Sequence, residues 1–180
     1  ESDAIRSQEE IAKAVQNLGY MGASVKRTTK TKKKKLKLFY EITSGKPYIV
    51  RTLKYDISDK KIAEYLRNDS TQSMLREGML FDVNVLDAER QRITDYLLCN
   101  GYYKFNKDYI TYTADTARNT HQVDLTLHLL PYKTYVGDTP KEHFQYKINK
   151  INFITDYDVL HSSAVSSIEI NDSVHYNGFP

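Results

Sequence analysis

The chain contains the same helix ending twice, and this internal repeat constrains the fold more than any other feature of the sequence. The segment from Glu89 to Tyr103 has a weaker counterpart from Glu9 to Tyr20. One constant offset of 82 residues relates the matched positions, which pair Ile11, Val15, Gly19 and Tyr20 with Ile93, Leu97, Gly101 and Tyr102. This offset exceeds the period of a solenoid and suits a whole small domain, so the sequence predicts an array of similar modules.

Each copy predicts an amphipathic helix that ends at a glycine. Apolar residues recur at helical spacing in both copies, at Ile11, Val15 and Leu18 and again at Leu86, Ile93 and Leu97. Gly19 and Gly101 directly follow the last turn, where glycine can adopt the left-handed conformation that satisfies the last carbonyls. We expect the next residues, Tyr20 and Tyr102, to fold back onto their helices.

Two strands are predicted after each helix. Behind the second helix come a strand at 108–113, a polar turn at 115–120, and a run in which Val123, Leu125, Leu127 and Leu129 alternate with polar residues. Behind the first, a strand begins at Val25, and an alternating run of Leu36, Leu38 and Tyr40 precedes a break at 44–47. The clean alternation of 123–129 indicates that this last strand is central in its sheet.

A further strand is predicted at 48–57, and 146–155 resembles it at an offset of 98 residues. Each of these strands opens a unit. A short helix is predicted from 59 to 67 with Ser58 as its cap, and Ser7 with Glu10 predicts a capping box for the first helix. The complete unit therefore has the predicted order strand, helix, helix, strand, strand.

This ordered set resembles the POTRA (polypeptide-transport-associated) domains, the β-α-α-β-β modules ahead of the membrane barrel in outer-membrane assembly factors of the BamA and TamA type. The similar segments are the strand 51–57, the turn 78–82, the helix 86–97 with its Gly-Tyr end, and the strand 123–129, with 19–25 similar in a preceding module. The tyrosine-rich style is most similar to the Bacteroidetes versions.

The resemblance implies an α+β fold made of tandem small modules, each with a three-stranded mixed sheet covered by two helices. We expect the C-terminal part of a first module at 1–45, a complete module at 46–132 and the start of a further module at 143–180. The chain begins with Glu1, shows no signal peptide and has no apolar run of roughly 18 residues. We therefore expect a soluble excerpt of a larger membrane-anchored protein, at the periplasmic face of the outer membrane.

Eight basic residues lie between 26 and 37 with no acidic residue among them, which leaves −5 for the rest of a chain whose net charge is +3. Such a run can hold phosphates or anionic lipid head groups, and the candidate anion-binding residues are Lys32, Lys33, Lys34 and Lys35. The interpretation we favour is a solvated hairpin tip whose lysines protect a sheet edge from aggregation. No aromatic residue interleaves with the lysines before Phe39, so no nucleic-acid partner is expected.

Residues for catalysis or metal binding are sparse. His121 and His128 are an odd number of residues apart on one predicted strand, so they face opposite sides and cannot share a metal. The remaining histidines are expected to be solvated, at His143, His161 and His175. Cys99 is expected to be a small buried helix residue. Because no phosphate-binding loop, nucleophile motif or paired carboxylates occur, we predict no enzyme activity, no cofactor and no metal.

The edge of the predicted sheet is the candidate functional site, because an exposed strand can receive an extended partner chain. The candidate edge residues are Tyr109, Ile110, Thr111, Tyr112 and Thr113, with 23–28 as their counterpart in the first module. The resemblance implies a non-catalytic scaffold that binds unfolded outer-membrane proteins or assembly-machinery subunits. Contact with the membrane surface is a separate candidate interaction. The alternative is a basic module that binds nucleic acid or anionic lipid through the 26–37 hairpin.

Overall fold

The computed structural model describes residues 2–32, 35–116, 120–133, 137 and 139–151, and the chain divides into two compact units, Glu1–Gln145 and Tyr146–Pro180. In the second unit, residues 146–151 form neither helix nor strand, so the strand predicted from 146 is wrong over these six residues. The rest of that predicted strand and module, including His161 and His175, lies outside the described residues.

The helices and strands of the described residues lie in the first unit. In chain order they are α1 (Ser2–Asn17), β1 (Ser24–Lys32), β2 (Lys35–Thr43), β3 (Ile49–Ile57), α2 (Lys60–Asn68), α3 (Val83–Cys99), β4 (Ile110–Thr116) and β5 (Gln122–Leu129). Two 3-10 turns, Ser70–Gln72 and Lys107–Tyr109, precede α3 and β4. Within the described residues, no helix has the length and apolar character needed to cross a membrane.

Residues 49–129 form the β-α-α-β-β module predicted from the sequence. Its strands are ordered β3-β5-β4, with β5 parallel to β3 and antiparallel to β4. The mixed three-stranded sheet and the central position of β5 are therefore confirmed. One face of β5 is buried along its whole length, at Val123, Leu125, Leu127 and Leu129. This face packs on the apolar sides of α2 and α3, which supply Ile62, Leu66, Leu86, Ile93 and Leu97 to the core.

Both glycine helix ends are confirmed. Gly19 has a φ of 93° and Gly101 a φ of 87°, the left-handed region that glycine enters without steric cost. The N–H of Tyr102 bonds to Leu97 O at 3.0 Å, and the N–H of Tyr20 bonds to Val15 O at 3.3 Å, so each tyrosine closes the last turn. Tyr102 is fully buried and Tyr20 is half-buried.

The predicted helix starts need correction. Asp59, not Ser58, caps α2, because its Oδ1 accepts from Lys61 N at 3.1 Å and from Ile62 N at 3.2 Å. Ser7 lies inside α1, where its hydroxyl donates to Asp3 O, so the predicted capping box is wrong. The helix begins earlier because its first turns pack on the β1–β2 hairpin. Tyr40 Oη there donates to Ala4 O at 3.2 Å.

Cys99 is exposed, contrary to the predicted burial. It is the last residue of α3, two positions after the buried Leu97. Two residues correspond to about 200° around a helix, which turns Cys99 away from the core.

The helix α1 and the β1–β2 hairpin form the part that precedes the complete module. The strands pair antiparallel from Ser24↔Thr43 to Lys32↔Lys35. Gln8 Nε2 donates to Val25 O at 2.7 Å, which joins the helix to the hairpin. Gly19 O in turn accepts from Tyr48 N at 2.8 Å, so the helix end contacts the start of β3.

His143 is buried, so its predicted exposure to solvent is wrong. Its backbone N–H donates to Asp59 Oδ2 at 3.1 Å, and its Nε2 lies 2.9 Å from Leu130 O. The ring contacts those of Phe105 and Tyr109, with centroids 5.0 and 4.6 Å away. The segment after β5 therefore folds back onto the N-terminus of α2. There the backbone N–H of His143 bonds the second carboxylate oxygen of the Asp59 cap.

Candidate partner-binding edge

The strand order leaves β3 and β4 at the two edges of the sheet, and the first half of the β3 edge is covered. Val50 N donates to Met79 O at 2.9 Å, and Gly78 N donates to Val50 O at 2.8 Å. Further along β3, Leu53 N donates to Glu77 Oε1 at 3.1 Å. The segment 77–80 thus occupies backbone groups that an incoming strand would need, and β4 is the more open edge.

Two side chains of β4 anchor it to the core. Ile110 is fully buried, and Tyr112 is half-buried with its hydroxyl donating to Leu86 O at 3.2 Å. Burial raises the pKa of Tyr112 above its ordinary value. The remaining β4 side chains are exposed, namely Thr111, Thr113, Ala114, Asp115 and Thr116. Ile110 and Tyr112 therefore hold β4 on the core, while the rest of the strand remains accessible to solvent.

The backbone groups of β4 alternate between β5 and the open edge. Leu130 N donates to Tyr109 O at 2.7 Å, and the register continues through Ile110↔Leu129. In an antiparallel ladder, residues that exchange hydrogen bonds with the partner alternate with residues whose groups point away. This phase directs the backbone N–H and C=O groups of Thr111 and Thr113 to β5. It directs the N–H and C=O groups of Tyr112 and Ala114 to the open edge.

The beginning of the edge is closed by Arg90 of α3. Ile110 N bonds to Lys107 O, and Ile110 O accepts from Arg90 Nε at 2.9 Å. Arg90 Nη2 also donates to Lys107 O at 2.9 Å, and Arg90 Nη1 pairs with Asp87 at 3.1 Å. Arg90 belongs to the repeated helix motif, but its role could not be predicted from the sequence, because its carbonyl partners lie 17 and 20 residues away.

The five predicted edge residues therefore have different positions. Tyr109 belongs to the 3-10 turn before β4, and the outward groups of Ile110 are bonded within the module. Thr111 and Thr113 direct their backbone groups to β5, and Tyr112 directs its groups outward. Ala114, one residue beyond the predicted range, has the same orientation as Tyr112 and is exposed. In the first module, β1 begins at Ser24 and pairs with β2 within the described residues.

A chain of polar contacts crosses the open face of the sheet. Asp56 Oδ2 on β3 lies 2.9 Å from His128 Nδ1 on β5, and His128 Nε2 lies 2.8 Å from Thr113 Oγ1 on β4. Beside it, Arg51 on β3 forms an ion pair with Asp124 on β5. Hydrogen bonds from Arg51 and Thr52 lower the pKa of Asp124 to about 2. These contacts tie the β4 edge to the rest of the sheet.

The other residues singled out in the sequence lie away from this edge. His121 precedes β5 with a φ of 51°, so it does not share a strand with His128 as predicted. Lys32 and Lys35 form the last described rung of the β1–β2 hairpin, and Lys33 and Lys34 lie outside the described residues. Among the residues with described positions, no three His, Cys, Asp or Glu side chains are grouped to hold a metal ion.

No protein-family model matches the chain, and no curated protein matches it. Solved structures do match, among them structures of BamA and Omp85 proteins. BamA from Haemophilus ducreyi lacking POTRA domains 1–3 is 17% identical over 72% of this chain and 23% of its own, with a TM-score of 0.43. The Haemophilus influenzae BamA POTRA domains 3–5 are 17% identical over 71% and 47%, with a TM-score of 0.40.

The N-terminal domain of Omp85 from Thermosynechococcus elongatus is 14% identical over 68% of this chain and 49% of its own, with a TM-score of 0.35. This chain spans less than half the length of each of these three structures. At such identities the likeness concerns the fold alone. Residues 49–129 have the order strand, helix, helix, strand, strand, with the last strand in the centre of the sheet.

Proposed function

We propose that residues 46–132 are a non-catalytic interaction module in the periplasmic part of an outer-membrane protein assembly or translocation factor. The open edge of β4 receives an extended segment of an unfolded outer-membrane protein or of an assembly-machinery subunit. One observation carries the proposal: Tyr112 and Ala114 direct their backbone groups away from β5, while the first half of the β3 edge is covered. Residues 1–45 and 143–180 belong to neighbouring modules in this proposal.

Strand addition at this edge uses backbone hydrogen bonds, which do not depend on the sequence of the partner. Ala114 is exposed and small, so a second backbone can approach it closely. The half-buried Tyr112 holds the strand on α3 while its backbone groups remain at the edge. The usable edge is short, because Arg90 and Lys107 close it at Ile110. Such an edge favours brief binding of many different clients over tight binding of one.

The experiment replaces Ala114 with proline, which removes one outward N–H and leaves the bonds between β4 and β5 intact. Ala114→Thr is the matched control, since it retains the N–H and adds a side chain suited to a strand. A photoreactive residue at Asp115 crosslinks a bound ten-residue peptide of alternating valine and threonine. We expect at least about a tenfold loss of crosslinking in Ala114→Pro and less than about a twofold change in Ala114→Thr.

Two further arms make the result specific. A peptide with N-methyl groups on alternate amides lacks half of its donors, so it should crosslink poorly to the wild type. Binding through backbone bonds should persist between about 50 mM and about 500 mM salt, whereas charge-driven binding should weaken steeply. Undiminished crosslinking in a folded Ala114→Pro variant would exclude strand addition at this edge.

Thr113→Pro serves as the opposite control. Its N–H faces β5, so proline there should break the ladder and lower the free energy of unfolding by about 3 kcal/mol. Ala114→Pro should change that free energy by less than about 1 kcal/mol, as measured by urea denaturation. Equal destabilisation by the two prolines would contradict the assigned orientation of the β4 backbone.

A further inference from the structure

The register of the β1–β2 hairpin places five lysines on one face. Directly opposed residues of an antiparallel pair lie on the same face, and successive residues of a strand alternate between faces. The pairs Lys26↔Glu41, Thr28↔Phe39, Lys30↔Lys37 and Lys32↔Lys35 therefore share one side. We call this side the basic face, and its residues are Lys26, Thr28, Lys30, Lys32, Lys35, Lys37, Phe39 and Glu41.

The basic face points away from α1. Val25 on the other face is buried, and Tyr40 on that face bonds through its hydroxyl to Ala4 of the helix. All members of the basic face are exposed. Phe39 lies among the lysines, with 47% of its surface exposed and Lys30 Nζ 5.5 Å from its ring centroid. The hairpin thus presents one exposed face with five positive charges, one carboxylate and one aromatic ring.

The arrangement of the lysines opposes formation of the hairpin. Lys30 lies directly across from Lys37, and Lys32 directly across from Lys35. Like charges at opposed positions destabilise an antiparallel pair. An anionic partner on this face would neutralise the repulsion, so the charge array suits binding better than it suits folding.

We propose that the basic face docks on an anionic lipid surface. Lipid head groups offer a plane of negative charge, which suits ammonium groups gathered on one face of a two-stranded ribbon. Phe39 stands in the middle of the face, where its ring can enter the boundary between head groups and acyl chains. A single-stranded nucleic acid needs a groove with several aromatic side chains in succession, and this face has one. The inference is independent of the β4 edge, which belongs to the other sheet.

Vesicle binding of the 180-residue chain tests the proposal. The probes are vesicles of pure phosphatidylcholine and vesicles with about 30% phosphatidylglycerol, at about 50 mM salt. The test variant carries Lys→Gln at Lys30, Lys32, Lys35 and Lys37. The matched control carries Lys→Gln at four other exposed lysines, Lys13, Lys46, Lys60 and Lys61. Both variants lose the same total charge.

We expect the wild type to bind the anionic vesicles and not the neutral ones. The basic-face variant should bind at least about 100-fold more weakly, because each lysine near an anionic surface contributes about a fivefold factor. The control should change by less than about tenfold. Phe39→Ser should weaken binding severalfold and reduce its persistence at high salt.

Three results would overturn the proposal: equal loss of binding in the two quadruple variants, no preference of the wild type for anionic vesicles, or tighter binding of a 20-base-pair DNA duplex than of these vesicles. Folding is verified by circular dichroism and urea denaturation. The double variant Lys30→Gln with Lys37→Gln provides an independent arm, because it removes one repulsive pair and should fold at least as well as the wild type. It should also show at least about a tenfold loss of vesicle binding.

Discussion

The carbonyl oxygen of Phe81 lies against Gly19, only 2.8 Å from the position that a Cβ on Gly19 would occupy. Gly19 also accepts a hydrogen bond from Tyr48 N at 2.8 Å and has a φ of 93°. The same residue therefore ends α1 and permits the close approach of its backbone to the turn before α3. Position 19 is constrained by both conformation and contact.

Gly19→Ala should lower the free energy of unfolding by about 3 kcal/mol, because it combines left-handed strain with a clash against fixed backbone. Gly45→Ala is the matched control, since Gly45 has a φ of 71° but nothing within 4 Å of a built Cβ. That variant should lose about 1 kcal/mol. Amide hydrogen exchange at Tyr48 should accelerate in Gly19→Ala alone. Equal effects of the two substitutions would show that the contact with Phe81 contributes nothing.

Glu89 organises the segment between α2 and α3. Its side chain is 1% exposed and accepts from Ser73 Oγ at 2.7 Å, Met74 N at 3.0 Å and Arg92 Nε at 2.8 Å. Arg92 also pairs with Asp69. Glu89→Gln places an amide against these donors and should cost about 3 kcal/mol. The exposed Asp87→Asn on the same helix should cost less than about 1 kcal/mol in urea denaturation.

The comparison of the wild type with Glu89→Gln at different pH values also tests the role of Glu89. Burial alone would raise its pKa, but hydrogen bonds from Arg92, Met74 N–H and Ser73 outweigh that effect and lower the pKa below 4.5. Its stabilising contribution is therefore present above pH 4.5 and is lost as pH falls through the lower folded pKa. We expect the stability difference between wild type and Glu89→Gln to narrow below that pH. A difference that stays constant down to about pH 2 would contradict this role.

Arg90 should control the start of the β4 edge. Arg90→Gln removes the guanidinium that bonds Ile110 O and Lys107 O. We expect a loss of about 2 kcal/mol and faster amide exchange at residues 107–111. Lys107→Gln, which breaks an exposed contact with Asp87 at 3.4 Å, should cost less than about 1 kcal/mol. Unchanged exchange in Arg90→Gln would show that the turn holds β4 without the arginine.

Removal of the hydroxyl group should have opposite effects on stability at Tyr102 and at Tyr65. Their rings meet edge to face at 5.9 Å. Within the described residues, Tyr102 Oη is buried without a hydrogen-bond partner, whereas Tyr65 Oη accepts from Gln145 Nε2 at 3.1 Å. Tyr102→Phe should stabilise the protein by about 1 kcal/mol, and Tyr65→Phe should destabilise it by up to about 1 kcal/mol. Destabilisation by Tyr102→Phe would reveal a partner for that hydroxyl.

Alkaline pH gives a second measurement on Tyr102. Burial raises its pKa from 10.0 to about 12. A raised folded pKa means that the stabilising contribution is complete below pH 10 and is lost as pH rises through the folded value. Between pH 10 and 12 the wild type should therefore lose stability faster than Tyr102→Phe. Parallel pH profiles of the two proteins would contradict the burial of this phenol.

The elements of the complete module could be predicted from local patterns. The helical spacing of Leu86, Ile93 and Leu97 predicted α3, and the alternation of 123–129 predicted a central β5. Gly19 and Gly101 were identified as left-handed helix ends from their position after the last turn. These features depend on neighbouring residues, so one segment of sequence contains the information.

The details that decide the candidate sites depend on distant residues. Asp59 caps α2 and is held by His143, and Arg90 closes the edge through carbonyls of another element. The pattern of the sequence indicated β4 as an edge. The structure showed that Tyr112 and Ala114, rather than Thr111 and Thr113, direct their backbone groups outward, because the phase of the ladder with β5 fixes that direction.

The lysine-rich segment shows the same division. Its composition determined the excess of positive charge, and its position in the sequence predicted that the lysines lie near a hairpin tip. The pairing of Lys30 with Lys37 decided that β1 and β2 contribute their lysines to one face. A shift of one residue in one strand would have turned that strand's lysines to the opposite face, because side chains alternate with a period of two. Composition and periodicity belong to the chain, whereas register arises when two distant segments meet.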